Sequence, residues 1–73
     1  MQTTTRSAIT LEVNGEAKTV HVATLAELIE HLQLGTSKCA TALNGDFVAV
    51  DMRQDVQLND GDKVEVLTAR QGG

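Results

Sequence analysis

The sequence predicts an α+β fold in which one main helix packs across a mixed sheet of four to five strands. Three observations support this prediction: short segments of alternating apolar and polar residues, two Asn-Gly dipeptides that suit tight hairpin turns, and one segment with apolar residues at helical spacing. The helical segment lies between the first predicted hairpin and the later strands. That order permits a right-handed crossover within a mixed sheet.

The composition is that of a small acidic globular domain. A chain of 73 residues is near the size at which a single core only just offsets chain entropy. Ten acidic against six basic side chains, with a net charge of −4, argue against binding to a phosphate backbone. Phe47 is the one aromatic residue, which leaves little means of stacking on bases. We therefore expect no nucleic-acid partner.

The single cysteine and the N-terminal residues indicate where the protein works. One cysteine cannot form an internal disulfide, residues 1–7 lack the apolar core of a signal peptide, and no apolar run is long enough to span a bilayer. We expect a cytoplasmic protein with no membrane partner. Residues 1–7 are interpreted as a flexible lead-in, residues 8–69 as the folded domain and residues 70–73 as a flexible tail.

A first hairpin is predicted near the N-terminus. Its first strand alternates strictly, with apolar side chains at Ile9, Leu11 and Val13. Asn14-Gly15 accepts the positive φ angles of a type I′ turn, which is the strongest short-range signal for a hairpin. The returning strand, residues 16–22, would bring Lys18 opposite Leu11, so we expect Lys18 near a sheet edge or at a bulge.

One helix is predicted over residues 25–34. Thr24 and Glu27 have the spacing of a capping box, in which the two residues satisfy each other's main-chain N–H groups. Gly35 suits the left-handed position that follows the end of a helix. The apolar residues of the segment share one face, at Leu25, Leu28, Ile29 and Leu32.

A second hairpin is predicted from a strand at residues 39–43, a tight turn at Asn44-Gly45 and a strand at residues 46–50. Phe47 lies at the centre of the last of these strands. We expect Phe47 in the core, and exposure as a docking anchor is the alternative.

The last strand is predicted at residues 63–69. A polar connection comes before this strand, and from it Val56 and Leu58 would return to the core. Between the connection and the strand lies a sharp turn, in which Gly61 supplies a positive φ. The apolar run at residues 64–67 favours a central position in the sheet. A central last strand would present the C-terminus from a rigid base.

The chain ends in Arg70-Gln71-Gly72-Gly73, and the carboxylate of Gly73 is the candidate reactive group. Two glycines lack Cβ atoms, so the segment can lie extended in a slot too narrow for side chains. The carboxylate is ionised at neutral pH and is a poor electrophile until a leaving group such as AMP is attached. We interpret Arg70, Gln71 and Gly72 as residues that a partner enzyme recognises; a frayed polar end is the alternative.

Nothing else in the sequence indicates catalysis. It contains no phosphate-binding Gly-x-x-x-x-Gly-Lys loop, no cluster of metal ligands and no nucleophile with a base nearby in sequence. Cys39 is interpreted as a small buried side chain rather than a sulfur relay. His21 and His31 lack the spacing of metal ligands. We expect a chain that is not an enzyme, has no catalytic residue of its own and binds no metal or cofactor.

The predicted order of hairpin, helix and a later β region ending in a buried strand is that of a β-grasp fold. Within it, three segments together resemble the ThiS family, the ubiquitin-like sulfur carriers of thiamine biosynthesis. They are NGDFV at residues 44–48, LNDGDKVEVL at residues 58–67 and ARQGG at residues 69–73. The resemblance runs from about Ile9 to Gly73. One departure is Val48-Ala49-Val50, where the family often has Val-Pro-Arg.

The resemblance implies a reaction cycle performed by partner enzymes. A ThiF-like enzyme would adenylate the Gly73 carboxylate with ATP and magnesium, and a cysteine desulfurase would supply sulfur indirectly, as a persulfide. The product would be a thiocarboxylate on Gly73. A thiazole synthase resembling ThiG would then use this covalent sulfur to build the thiazole ring.

Two other classes of protein use the same C-terminal Gly-Gly. One is the small subunit of a molybdopterin synthase, MoaD-like, although such chains usually run longer and have an additional helical segment. The other is a ubiquitin-like modifier whose carboxylate is joined to lysines. The chemistry of the tail does not separate these fates, since all of them begin with an acyl-adenylate.

Overall fold

The computed structural model describes residues 8–33 and 39–68, and within them five strands form one mixed sheet. The strands are β1 (Ile9–Val13), β2 (Glu16–Val20), β3 (Cys39–Leu43), β4 (Asp46–Val48) and β5 (Lys63–Thr68). Their order across the sheet is β2-β1-β5-β3-β4. An α-helix, α1 (Leu25–His31), and a 3-10 helix (Val50–Asp55) complete the described elements. The predicted α+β fold, a β-grasp with one main helix, is confirmed.

The last strand, β5, is the central strand of the sheet, as the sequence predicts. It runs parallel to β1 and antiparallel to β3. Val64 and Val66 are buried on one face, whereas Glu65 and Leu67 are exposed on the other. The strand is described as far as Thr68; the predicted boundaries of the domain, at residues 7/8 and 69/70, involve residues outside the described part and stay predictions.

Both Asn-Gly dipeptides form the predicted hairpin turns. The positive φ angles are 52° at Asn14, 85° at Gly15, 51° at Asn44 and 92° at Gly45, as a type I′ turn requires. Lys18 is opposite Leu11 in an unbroken register, and β2 is an edge strand. The edge position expected for Lys18 is confirmed, although β2 ends at Val20 rather than at residue 22.

The start of α1 has a cap of the predicted kind. The Glu27 main-chain N–H donates to the Thr24 hydroxyl at 3.2 Å. The Glu27 carboxylate accepts a hydrogen bond at 2.7 Å from the N–H of Ala23, one residue earlier than a standard capping box would place the donor. The first turn is therefore fixed from both sides of the cap.

The predicted end of the helix is wrong. The sequence predicts a helix over residues 25–34, whereas α1 ends at His31. Gln33 already has a left-handed φ of 61°, and its N–H donates to the Glu30 carbonyl at 3.0 Å. Gln33 thus ends the helix in the way expected of Gly35, and Gly35 itself lies outside the described residues.

The core lies between α1 and one face of the sheet. The buried apolar side chains are Leu11, Val13, Val20, Val22, Leu25, Leu28, Ile29, Val48, Leu58, Val64 and Val66. Leu58 returns to the core as predicted, and Val56 is partly buried against it. Main-chain hydrogen bonds of 2.9 Å from Leu25 to Val56 and from Leu58 to Ala23 attach this returning segment to the start of α1.

The second hairpin is shorter than predicted. The strand predicted at residues 46–50 ends at Val48, and a 3-10 helix begins at Val50. The Met52 N–H donates to the Ala49 carbonyl at 3.0 Å. The polar connection that the sequence predicts before the last strand is therefore partly helical.

The expectation that Phe47 lies in the core is wrong. Phe47 is opposite Ala42 on the sheet face that points away from α1, and 73% of its surface is exposed. Neighbouring residues of a strand point to opposite faces. Val48 occupies the core position, so Phe47 must point outwards.

We expect Leu28→Ala to lower the free energy of unfolding by roughly 2–5 kcal/mol, because it leaves a cavity at a fully buried position. Glu30→Ala, on the exposed face of the same helix, is the matched control and should change stability by less than about 0.5 kcal/mol. Chemical denaturation measures both. Equal midpoints for the two variants would contradict the packing of α1 against the sheet.

Candidate functional site

The predicted reactive segment, Arg70 to Gly73, lies outside the described residues. The structure therefore does not place the tail-recognition residues Arg70, Gln71 and Gly72 or the Gly73 carboxylate. What it describes is the strand that leads to them and the surface around that strand.

The strand β5 is hydrogen-bonded on both sides. On one side, the N–H of Glu12 in β1 donates at 3.0 Å to the carbonyl of Asp62, just before β5. The N–H of Asn14, just after β1, donates at 2.9 Å to the carbonyl of Val64 in β5. On its other side β3 pairs with β5 along its whole length, up to Thr68 opposite Cys39. The last described residue before the tail is thus still held in the sheet.

The sheet face opposite α1 has an apolar surface next to this strand. Leu67 and Phe47 are 74% and 73% exposed. Ala40 is opposite Leu67 and Ala42 is opposite Phe47, so the two alanines connect the large side chains across the sheet. We name the four residues the outer-face patch: Ala40, Ala42, Phe47 and Leu67.

The outer-face patch lines an open depression of about 630 Å³ that is flanked by two carboxylates. Glu65, on β5, is opposite Ala42 of β3. Glu12, on β1, is opposite Lys63 of β5. Both glutamates line the depression, whereas Lys63 lies at the end of β5 that is farther from the tail. A wide, open surface of this kind suits contact with another protein better than enclosure of a small molecule.

Arg53 is a buried side chain that the sequence analysis missed. Only 1% of its surface is exposed. Its Nε donates to the Thr41 hydroxyl at 3.0 Å, and a terminal nitrogen of the guanidinium donates to the Cys39 carbonyl at 2.7 Å. The Thr41 hydroxyl donates in turn to the Val48 carbonyl at 2.9 Å. Arg53 thereby fixes the 3-10 helix to β3, behind the outer-face patch.

The residues weighed as nucleophile or metal ligands are not brought together. Cys39 is partly buried and packs against the core, close to the environment predicted for it. His21 and His31 are exposed. In residues 8–33 and 39–68, no group of three His, Cys, Asp or Glu side chains is arranged to hold a metal ion. Nor does this part of the chain contain a helix with the length and apolarity needed to cross a membrane.

Comparison with known proteins identifies the family. The family model described as ThiS family matches residues 8–73, which is nearly the whole chain. The chain belongs to the ThiS family. No curated protein sequence matches it significantly. The resemblance seen in the sequence is thus confirmed, and it places the chain among the β-grasp sulfur carriers of thiamine biosynthesis.

Two solved structures show the same fold. A crystal structure of the thiamine biosynthesis protein ThiS from Geobacter metallireducens is 30% identical, with a TM-score of 0.73; the match covers 89% of this chain and 100% of that one. A solution structure of a thiamine biosynthesis protein from the same organism is also 30% identical, with a TM-score of 0.74, and covers 89% of this chain and 88% of that one.

Proposed function

We propose that this ThiS-family chain carries sulfur as a thiocarboxylate on Gly73 and donates it to the enzyme that forms the thiazole ring of thiamine. The observation on which the proposal depends is that the family match extends to the C-terminal Gly-Gly. The position of β5 adds support, because the central strand of the sheet leads directly into that segment. A rigid strand before an extended tail suits delivery of a terminal carboxylate into another protein.

Activation of the carboxylate requires a partner enzyme. A ThiF-like enzyme, using ATP and magnesium, would attach AMP to Gly73 with release of pyrophosphate. The outer sulfur of a persulfide, supplied from a cysteine desulfurase, would then attack the acyl carbon and displace AMP. Reduction of the resulting S–S bond by a thiol would leave the thiocarboxylate. A ThiG-like thiazole synthase would consume it.

In this proposal the chain itself is a substrate and a carrier, not a catalyst. ATP and magnesium are bound by the activating partner, and the only group attached to this chain is the sulfur on Gly73. The cycle draws on ATP and on a persulfide that must stay reduced, so we place it in the cytoplasm.

The outer-face patch is the proposed docking surface for the activating enzyme. Leu67 belongs both to the patch and to β5, and it precedes Gly73 by six residues. Six extended residues span about 20 Å. An enzyme that covers the patch can therefore have its adenylation site within reach of the carboxylate without moving the domain.

The charges around the patch define the chemistry of the complementary surface. Glu12 and Glu65 flank the apolar side chains, and the net charge of the chain is −4. We expect an apolar area with basic side chains at its edge on the partner. Such charges raise the rate of encounter more than the affinity, and added salt weakens their effect.

Phe47→Asp should raise the KM for the carrier in ATP–pyrophosphate exchange about tenfold, because truncating an exposed aromatic anchor typically costs a protein interface 1–2 kcal/mol or more. Met52→Asp is the matched control, since Met52 is also exposed but lies on the 3-10 helix. It should leave KM within about twofold of wild type. Both variants should melt like wild type, and equal KM values for the two would contradict docking on the outer face.

Arg70→Glu should lower the rate of adenylation, because Arg70 is the last side chain that can make an ionic or bidentate contact before the glycines. We expect a loss of about tenfold in kcat/KM from reversing one charge at a contact of this kind. Pyrophosphate exchange measures it, with thermal melting as the control for folding. An unchanged rate would show that partners do not recognise this side chain.

Adding one Ala after Gly73 should abolish adenylation while leaving the fold unchanged. The extension moves the carboxylate by one residue, about 3.3–3.6 Å along an extended chain. Misplacement of reacting atoms by roughly 1 Å already costs about a hundredfold in rate, and a methyl group must also enter a channel fitted to glycine. Deletion of Gly73 should fail for the opposite displacement.

A time course of intact mass after incubation with a ThiF-like enzyme, ATP and a sulfur source tests both tail variants. Wild type is the positive control, and thermal melting shows that each variant is folded. Thiocarboxylate formation at the wild-type rate on either variant would mean that Gly73 is not the reactive residue.

A further inference from the structure

The two Asn-Gly turns face the central strand β5 from opposite sides. Asn14 follows β1 and Asn44 follows β3, the two neighbours of β5. Both asparagines have a positive φ, of 52° and 51°. Both also use the side-chain carboxamide to bond residues of β5 or of the turn before it. The two turns are therefore alike in backbone but bind different parts of the strand.

Asn14 bonds the half of β5 that leads to the tail. Its Nδ2 donates to the Val66 carbonyl at 3.1 Å, and its Oδ1 accepts from the Val66 N–H at 2.8 Å. The backbone of β1 pairs with β5 only as far as Val13 opposite Val64. Beyond that point β1 turns away into its hairpin, and the carboxamide supplies the donor and the acceptor that a continued β1 would have supplied.

Asn44 bonds the other end. Its Oδ1 accepts from the Lys63 N–H at 2.9 Å, and its Nδ2 donates to the Asp62 carboxylate at 3.1 Å. The Asn44 main-chain N–H also donates to the Lys63 carbonyl at 2.7 Å. Asn44 thus holds the start of β5 and Asn14 holds its second half.

The contact at Val66 holds the part of β5 that precedes the tail. Main-chain groups of successive strand residues point to opposite neighbours and those of alternate residues to the same one, so the Val66 N–H and carbonyl, like those of Val64, point to the side where β1 has ended. In the described part of the chain, Asn14 provides the hydrogen bonds on that side. Without its carboxamide, the residues from Val66 to Thr68 would be bonded to β3 alone.

We infer that Asn14 is a positioning residue for the reaction at Gly73: its carboxamide takes the place of a continued β1 and fixes the direction in which β5 delivers the C-terminal segment. The inference rests on the proposed function. It extends that function to a residue far from the tail in sequence, which would affect the rate of adenylation by holding β5 in place. Reacting groups must be aligned within a fraction of an ångström, so loosening the strand before the tail should slow the step.

The test compares Asn14→Gly with Asn44→Gly. Glycine adopts a positive φ without strain, so each variant keeps its type I′ turn and loses a carboxamide that makes two hydrogen bonds. The pair is matched in turn type and in the number of side-chain hydrogen bonds lost. The measurements are amide hydrogen exchange by NMR and adenylation by a ThiF-like enzyme, at a temperature where both variants are folded.

In Asn14→Gly, the Val66 amide should exchange at least about tenfold faster, while the Leu67 amide, which faces β3, should keep its rate. The kcat of adenylation should fall about tenfold. KM for the carrier should stay within about twofold, because the four residues of the outer-face patch are unchanged, although Asn14 also lines the depression beside them. Asn44→Gly should keep the wild-type kcat and the wild-type exchange at Val66. A general loss of stability would affect both variants alike and would not separate kcat from KM.

Each remaining outcome decides the question. If Asn14→Gly reacts at the wild-type rate, or if both variants lose kcat equally, the inference is overturned while the proposed function stands. If the wild-type chain is not adenylated, the proposed function fails and the inference fails with it. Should Asn14→Gly not fold, Asn14→Asp retains the acceptor for the Val66 N–H and loses the donor, and a wild-type kcat in that variant overturns the inference.

Discussion

The two-sided hydrogen bonding of β5 is the constraint on which the rest of the structure depends. β5 is the last strand in the chain and the central strand in the sheet, between β1 and β3. Without β5, no strand would connect the hairpin of β1 and β2 to the hairpin of β3 and β4. The core would also lose Val64 and Val66. The same strand leads into the C-terminal Gly-Gly. The element on which the stability of the domain depends is therefore also the one that precedes the tail in sequence.

Because its side chains alternate, β5 contributes to the core on one face of the sheet and to the outer-face patch on the other. Val64 and Val66 pack into the core, whereas Glu65 and Leu67 point outwards, where Phe47 and two alanines extend the apolar surface. Because opposite faces are involved, substitutions on one should alter stability and those on the other should alter recognition. Arg53 lies behind this surface and ties β3 to the 3-10 helix, which keeps the strand under the outer-face patch in place.

Local signals predicted the elements that local physics determines. The Asn-Gly turns, the helix cap at Thr24 and the turn at Gly61 depend on backbone preferences of a few residues, and the structure confirms them. Phe47 was misassigned because a strand of three residues is too short for its alternation to identify the buried face. Arg53 was missed because its partners, Thr41 and Cys39, are 12 and 14 residues away, and nothing in the polar run around it indicates burial. The Gly-Gly end was identified as the candidate site from the sequence pattern, since its chemistry does not depend on tertiary packing.

The most direct test of the sulfur-carrier account is the mass of the intact wild-type chain after incubation with a ThiF-like enzyme, ATP, magnesium and a cysteine desulfurase system. The account predicts a mass increase equal to replacement of one oxygen by sulfur, and fragmentation should locate it at Gly73. Omission of ATP should prevent it. A chain that stays unmodified although the enzyme exchanges pyrophosphate, or that is recovered joined to lysine side chains, would contradict the account.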